Sequence, residues 1–174
     1  MMYAAADFET TGLLLHPAAK TQPRATELAI VRSDGEERSW LFNPQELLSP
    51  KITKITGLTD AVLAEERLFA EVWPEIEEFV APLDELWAHN ASFDSGIMCA
   101  ELKRIGLEWP PAGARWRCTV EEFAPEWGRR PRLYELYEHC FGEKFSGAHR
   151  ALADTRALMR VVELMKVEQW VYHS

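Results

Sequence analysis

The hydrophobic and polar positions at the start of the chain follow the two-residue period of β-strands. Residues 3–8 form a short apolar run that ends at the Thr-Thr-Gly turn signal of residues 10–12, and this predicts a strand. Two further apolar runs within residues 26–44 flank the Asp-Gly pair at 34–35, which predicts a β-hairpin. Residues 13–25 contain two prolines and little periodicity, so they are expected to form a loop.

The rest of the chain is dominated by the 3.6-residue period of α-helices. Apolar residues at Val72, Ile76 and Phe79 predict a helix in which Pro74 occupies an early turn. A second helix is expected to open with Ser92 as its N-cap and to close at Gly106. The predicted helices are residues 69–83, 92–106, 132–142 and 151–170, and the predicted strands between them are residues 85–91 and 116–123.

The order of these elements predicts an α/β fold. Three strands are followed by a helix, a strand, a helix, a strand and then helices, so an antiparallel hairpin joins a sheet whose other strands need crossover connections. Neither a repeat nor a low-complexity linker is visible. We therefore expect one domain over residues 1–174.

Composition narrows the class of protein. Apolar residues make up 47% of the 174 residues, which is enough for a sizeable core. The sequence contains no apolar run of about 18 residues and no basic, hydrophobic leader, so neither a membrane helix nor a signal peptide is expected. The cysteines Cys99, Cys118 and Cys140 lack metal-site spacing and are expected to be free thiols in the cytoplasm.

The net charge of −9 argues against a protein that grips duplex DNA through a broad basic surface. Basic residues nevertheless concentrate in the second half of the chain. Residues 1–100 carry 7 Lys and Arg against 17 Asp and Glu, whereas residues 101–160 carry 11 against 9. A local strip containing Arg129, Arg130 and Arg132 is therefore a candidate guide for a nucleic-acid strand.

Two acids stand at the end of the first strand. Side chains alternate along a strand, so Asp7 and Glu9 point to the same face and Phe8 to the other. Like charges side by side repel, and burial increases the cost. Taken alone, such a pair is most often a solvated strand end, but a divalent cation would offset the repulsion.

Two further segments strengthen the metal interpretation. Asp94 follows the strand and turn of residues 85–91, at the start of a helix where a carboxylate is also favoured as a cap. His149 lies near the start of the last helix, and Asp154 projects from that helix. Four acids at element ends and one His are what a two-metal phosphodiesterase requires, with the His as the base that takes a proton from water.

These residues carry a resemblance to a known family. The segments DFETTG (7–12), HNASFD (89–94) and HRALAD (149–154) resemble the three motifs of the DEDD exonuclease superfamily. The third segment has the His-x₄-Asp form of the DEDDh branch, which includes proofreading subunits of bacterial replicative polymerases. The resemblance implies a ribonuclease-H-like fold, with a five-stranded mixed sheet and helices on both faces.

The same resemblance implies a set of site residues. Asp7, Glu9, Asp94 and Asp154 would hold two divalent cations, Mg²⁺ or Mn²⁺, and His149 would be the general base. The residues expected near the terminal nucleotide are Glu9, Thr10, Thr11, Leu13, Asn90, Phe93 and His149. Thr56 stands where the family often has a His, which puts one expected nucleotide contact in doubt.

The resemblance also implies an activity. It is the metal-dependent release of nucleoside 5′-monophosphates from single-stranded 3′ ends, with DNA favoured. An RNA-trimming enzyme of the same family and a non-catalytic nucleic-acid-binding subunit remain alternatives. The expected partners are a single-stranded DNA or RNA 3′ end and a polymerase or another replication or repair protein. Trp109 and Trp127 are further candidates for stacking on bases.

Overall fold

The computed structural model describes residues 1–16, 19–109, 114–145 and 150–173. The strands among these residues are β1 (Tyr3–Thr10), β2 (Ala25–Arg32), β3 (Glu37–Leu41), β4 (Glu85–Ala88) and β5 (Arg115–Cys118). The helices are α1 (Pro50–Thr56), α2 (Asp60–Ala64), α3 (Phe69–Val80), α4 (Ala91–Arg104), α5 (Thr119–Trp127), α6 (Leu133–Phe141) and α7 (Ala151–His173). None of the described helices is both long and apolar enough to cross a membrane.

The five strands form one mixed sheet in the order β3-β2-β1-β4-β5. The pairs β1–β2 and β2–β3 are antiparallel, whereas β1–β4 and β4–β5 are parallel. The predicted hairpin is confirmed, with Gly35 at φ +90° in the turn between β2 and β3. Helices α1 to α3 lie between β3 and β4 in the chain, and α4 lies between β4 and β5, so they supply the crossovers.

Small residues in β1 let helices approach both faces of the sheet. Ala4 and Ala6 point into a core that also contains residues of α3 and α4, whereas Ala5 points into a second core formed with α6 and α7. All three alanines are fully buried. β1 is therefore a central strand covered on both sides, and this covering fixes the direction of the side chains that follow along it.

Pro74 lies in the second turn of α3, in agreement with the expected early turn. Two other local expectations were wrong in detail. Asn90, at φ +77°, takes the N-cap position of α4 in place of Ser92, because β4 ends at Ala88 and the chain must reverse within two residues. The strand expected over residues 116–123 ends at Cys118, since Val120 and Phe123 pack inward at helical spacing in α5.

The two tryptophans proposed for base stacking pack against other side chains. Trp109 packs in the first core, with ring centroids 6.5 Å from Trp73 and 5.9 Å from Trp116. Trp127 contacts the ring of His139 at 5.3 Å and packs against the second core. Both indoles are therefore used for packing in the folded protein.

A buried carboxylate ties the loop after β1 to α4. Glu101 accepts hydrogen bonds from the backbone N–H of Ala25 at 2.8 Å and from Nε of Arg24 at 3.2 Å, and it pairs with Arg104 at 2.9 Å. The loop also closes on itself, because Thr11 N–H donates to the carbonyl of Arg24 and Arg24 N–H donates to the hydroxyl of Thr11. These bonds hold the chain on the C-terminal side of the β1 acids.

Glu101→Ala is expected to lower the free energy of unfolding by roughly 3 kcal/mol, because it leaves a buried N–H and a half-buried guanidinium without their acceptor. Chemical denaturation monitored by circular dichroism measures this loss. Glu101→Gln keeps an acceptor oxygen and should lose less. Glu78→Ala, on the exposed side of α3, is the control and should stay within about 0.5 kcal/mol of the parent. Equal stability of Glu101→Ala and the parent would contradict the expectation.

Candidate active site

β1 delivers two carboxylates to one face of the sheet. Asp7 and Glu9 follow Ala5 at alternating positions, so they face the side of the sheet that α7 covers. Asp7 pairs with Ala29 of β2, and Glu9 pairs with Glu27, just before an irregularity shifts the register between Glu9 and Thr10. This irregularity turns the strand end, where the acids stand at the rim of the sheet.

The first turn of α7 brings a third carboxylate to the same place. The helix begins at Ala151, and the carbonyl of Arg150 accepts hydrogen bonds from the N–H groups of Ala153 and Asp154. One carboxylate oxygen from each of Asp7, Glu9 and Asp154 lies within 4.8 Å of the others. Three half-buried oxygen ligands at this separation fit a hard divalent cation such as Mg²⁺.

The fourth predicted acid approaches from the opposite face. Asp94 lies in the first turn of α4 and is buried. Its Oδ1 accepts a hydrogen bond from the backbone N–H of Phe8 at 3.0 Å. The described ladder between β1 and β4 stops at the pair Ala5 and Trp87, so the Asp94 carboxylate occupies the fork where the two strands separate. The charge of Asp94 acts on Asp7, but Asp94 is not one of the three acids, Asp7, Glu9 and Asp154, whose oxygens lie within 4.8 Å of one another.

The carboxylates repel one another strongly. Burial, and then the charges of Asp94, Glu9 and Asp154, raise the pKa of Asp7 well above its ordinary value. Burial, and then the charges of Asp154 and Glu27, raise the pKa of Glu9 to about 8. Burial also raises the pKa of Asp94 to about 7, against the opposing effect of the Phe8 N–H. A cluster that resists ionisation in this way favours binding of cations.

A fifth acid, Glu27, was missed by the sequence analysis. It is buried in β2 directly opposite Glu9, where the Ser39 hydroxyl donates to its Oε1 at 3.0 Å. Its Oε2 lies 3.9 Å from Nε of Arg150, the residue that precedes α7. The available signal was an acid in the middle of the apolar run ATELAIV, which has no reason to be there unless a partner or a site requires it.

His149, the predicted base, lies outside the described residues, as do residues 146–148. The role of His149 therefore remains a prediction from the third motif.

The residues expected to contact the substrate differ in their exposure and in their hydrogen bonds. Thr10 is buried and donates to the carbonyl of Gly12 at 2.6 Å, and Leu13 is 80% exposed. Phe93 is half-buried against the first core. Asn90 accepts hydrogen bonds from Ser92 and Arg130 at 3.3 and 2.6 Å. The Thr11 hydroxyl is occupied by the backbone of the returning loop.

The Thr56 hydroxyl is not free to donate the hydrogen bond expected from the His that the family often has at this position. Its side chain is buried at the end of α1, where its hydroxyl donates to the carbonyl of Ile52 at 3.1 Å and accepts from the N–H of Leu58 at 3.1 Å. These bonds terminate the helix, and they leave the hydroxyl no further proton to donate to a nucleotide.

The sequence profile of an exonuclease family (RNase_T) matches residues 5–162. The chain belongs to this exonuclease family. The chain is 31% identical to a Mycobacterium tuberculosis protein whose name describes a bifunctional exonuclease/endonuclease, over 94% of this chain and 26% of that protein. It is 30% identical to the PolC-type DNA polymerase III of Staphylococcus aureus, over 94% of this chain and 12% of the polymerase. The chain thus spans about a quarter or less of the length of these relatives.

Solved structures match the fold of the chain over nearly its whole length. The nuclease domain of 3′hExo, a DEDDh family member bound to rAMP, superposes with a TM-score of 0.78 at 16% identity, over 96% of this chain and 92% of that one. Escherichia coli exonuclease I in complex with a dT13 oligonucleotide superposes with a TM-score of 0.79 at 21% identity, over 99% and 42%. The expected ribonuclease-H-like fold, with a five-stranded mixed sheet, is confirmed. The chain is thus related to a part of a PolC-type DNA polymerase III.

Proposed function

We propose that this exonuclease removes nucleoside 5′-monophosphates one at a time from single-stranded 3′ ends, with DNA as the favoured substrate. The observation that carries the proposal is the approach of Asp7, Glu9 and Asp154 oxygens to within 4.8 Å of one another, with Asp94 beside them. Two divalent cations, Mg²⁺ or Mn²⁺, would supply Lewis-acid stabilisation of the charge on the scissile phosphate. The four carboxylates would hold these cations.

Side chains of the protein would carry out the proton transfer and the positioning of the substrate. His149 would accept a proton from the attacking water, for which an imidazole of ordinary pKa near about 6.5 is suited. The water oxygen bonds to phosphorus and the P–O3′ bond breaks. The shortened strand keeps a free 3′ hydroxyl, and the released nucleotide keeps the 5′-phosphate. Thr10, Thr11 and Glu9 would flank the terminal 3′ hydroxyl, while Leu13 and Phe93 would pack against the terminal base.

Two observations bear on the substrate and on partners. A DNA substrate is supported by the likeness to polymerase domains, and one structural neighbour is a complex with dT13. An RNA substrate stays the second candidate, because another neighbour is bound to rAMP. By analogy with the polymerase relatives, the partner would be a polymerase or another replication or repair protein.

The direct test compares single-stranded DNA and RNA carrying a label at the 3′ or the 5′ end, in Mg²⁺, Mn²⁺ or EDTA. We expect stepwise shortening from the 3′ end and no shortening in EDTA. Loss that begins at the 5′ end, or full activity in EDTA, would overturn the proposal. Tight Mg²⁺ binding without any nucleotide release would support a non-catalytic subunit instead.

His149→Ala is expected to reduce the rate of nucleotide release by roughly 100-fold or more, because general-base catalysis is worth about 10²–10⁴ in rate. His139→Ala removes an exposed imidazole from α6 that contacts Trp127, and it serves as the matched control. Steady-state rates on the 3′-labelled strand measure both variants. If His149→Ala keeps the parental rate, the base assignment is wrong while the carboxylate site still stands.

A further inference from the structure

A pocket of about 590 Å³ extends from the carboxylates to the connection between α5 and α6. Asp7 and Asp154 form one end of it, and Arg130, Arg132 and Tyr134 lie among the residues that form the rest. Its volume lies within the range of roughly 300–1,000 Å³ typical of small-ligand sites. The pocket is therefore large enough for part of a nucleotide next to the catalytic acids.

The two arginines of this pocket are available to an anion. Arg130 donates to Oδ1 of Asn90 at 2.6 Å, which anchors it beside the second motif. Arg132 is exposed, with its guanidinium carbon 6.0 Å from the ring centroid of Tyr134. Within the described part of the chain, neither guanidinium lies within 4.0 Å of a carboxylate, although the protein as a whole is acidic.

The neighbouring Arg129, by contrast, is paired with a carboxylate. Its guanidinium donates two hydrogen bonds to Glu135, at 2.9 and 2.8 Å, and lies 5.4 Å from the ring centroid of Trp127. It does not line the pocket. The structure thus separates three nearby arginines into one that is neutralised by an acid and two that face the catalytic end of the sheet.

Part of the pocket wall and the side chain expected beside the terminal base pack against different layers of the protein. Phe93 packs against the core layer of α3 and α4, whereas Leu133, next to Arg132, packs against the layer of α6 and α7. A strand whose terminal base rests near Phe93 and whose scissile phosphate meets Asp7 would continue toward the pocket. The next phosphate along the retained strand would then arrive near the arginines.

We propose that Arg130 and Arg132 bind the backbone phosphate on the 5′ side of the scissile phosphate, with the Tyr134 ring packing against the nucleotide that carries it. The proposal rests on the 3′-exonuclease function proposed above. Guanidinium groups suit this ligand because their donors match phosphate oxygens. Only the scissile phosphate then relies on the cations that the acidic centre would hold, and the two arginines neutralise the charge of the neighbouring phosphate.

The test compares the dinucleotide TpT, whose single phosphate is the scissile one, with its 5′-phosphorylated form pTpT. For the parent enzyme, the added phosphate should raise kcat/KM. For Arg132→Ala, kcat/KM should fall roughly tenfold on pTpT and stay within about twofold on TpT, because a charge-assisted hydrogen bond is lost only on pTpT. The fall should appear in KM rather than in kcat, since the contact is made equally before and during reaction.

Matched variants keep the test decisive. Arg129→Ala removes the same charge from the same segment and should preserve the difference between pTpT and TpT. Arg132→Lys should restore part of the gain, and Arg130→Ala should behave like Arg132→Ala, with thermal melts to confirm that each variant is folded. Equal losses on TpT and pTpT, or equal effects of Arg129→Ala and Arg132→Ala, would overturn the proposal.

Failure of this proposal is distinguishable from failure of the proposed function. If the enzyme cleaves TpT in Mg²⁺ but the 5′-phosphate does not raise kcat/KM, the proposed function stands and the proposed phosphate site is wrong. If the protein cleaves neither dinucleotide and does not shorten longer strands from the 3′ end, the proposed function is wrong. In that case, an unchanged affinity of Arg132→Ala for pTpT in Ca²⁺, measured by calorimetry, would overturn the phosphate site as well.

Discussion

Asp7→Asn is expected to reduce nucleotide release by roughly 1,000-fold while leaving the fold intact. The reason is that metal ligation contributes several kcal/mol of transition-state stabilisation, and each 1.4 kcal/mol corresponds to about tenfold in rate. Asp7 is the acid most central to the cluster, since Asp94, Glu9 and Asp154 all raise its pKa. A neutral amide at this position keeps the shape of the side chain but removes its charge.

The experiment measures single-turnover release from a 3′-labelled strand, next to thermal melts of each variant. Asp34→Asn makes the same chemical change in the turn between β2 and β3, where Asp34 pairs with Arg32, and should leave the rate unchanged. Without divalent cations, Asp7→Asn should melt no lower than the parent, because it relieves repulsion among the acids. Parental activity in Asp7→Asn would contradict the assignment of this residue.

The metal-free protein is expected to lose stability as the pH rises from 6 to 8.5. The folded state raises the pKa of Glu9 from 4.5 to about 8 and that of Asp94 from 3.8 to about 7. The folded protein therefore retains protons that the unfolded chain has already released, so the free energy of unfolding falls across this window. The loss is on the order of 1.4 kcal/mol per pH unit for each such group. Summed over both groups and the whole pH window, the loss corresponds in a chain of this size to a fall in Tm of roughly 10 °C.

Mg²⁺ should reverse this loss, and more strongly at pH 8.5 than at pH 6, because fewer protons then compete for the carboxylates. Differential scanning fluorimetry across pH, with EDTA or Mg²⁺, measures both effects. Glu9→Gln should flatten the pH dependence, whereas Glu36→Gln, in the exposed turn after β2, should not change it. A metal-free protein whose stability does not fall from pH 6 to 8.5 would contradict this expectation and show that the acids are solvated and ionise in their ordinary range.

The acids of the candidate site were predictable because each follows a local rule. Alternation along β1 places Asp7 and Glu9 on one face, and the start of α7 carries Asp154. The same local patterns correctly indicated the hairpin and the mixed sheet. Such features depend on a few consecutive residues, which a sequence displays directly.

What the sequence could not reveal depends on contacts between distant segments. Glu27 meets Glu9 only through the register between β1 and β2, and register is set by the whole hairpin. Arg130 and Arg129 are adjacent in the chain, yet one bonds Asn90 and the other Glu135. Such choices between partners are made by the packing of α5 and α6, and no local pattern encodes them.

The hydrogen bond from Phe8 to Asp94 joins residues that are 86 positions apart, and the third acid of the cluster arrives only with α7. Contacts of such long range form late in folding, because the intervening chain must first be closed into loops. During synthesis at roughly 5–20 residues per second, the ribosome must therefore release α7 before the candidate cation site can form. The proposed nuclease activity would consequently appear only once α7 has packed against the completed sheet.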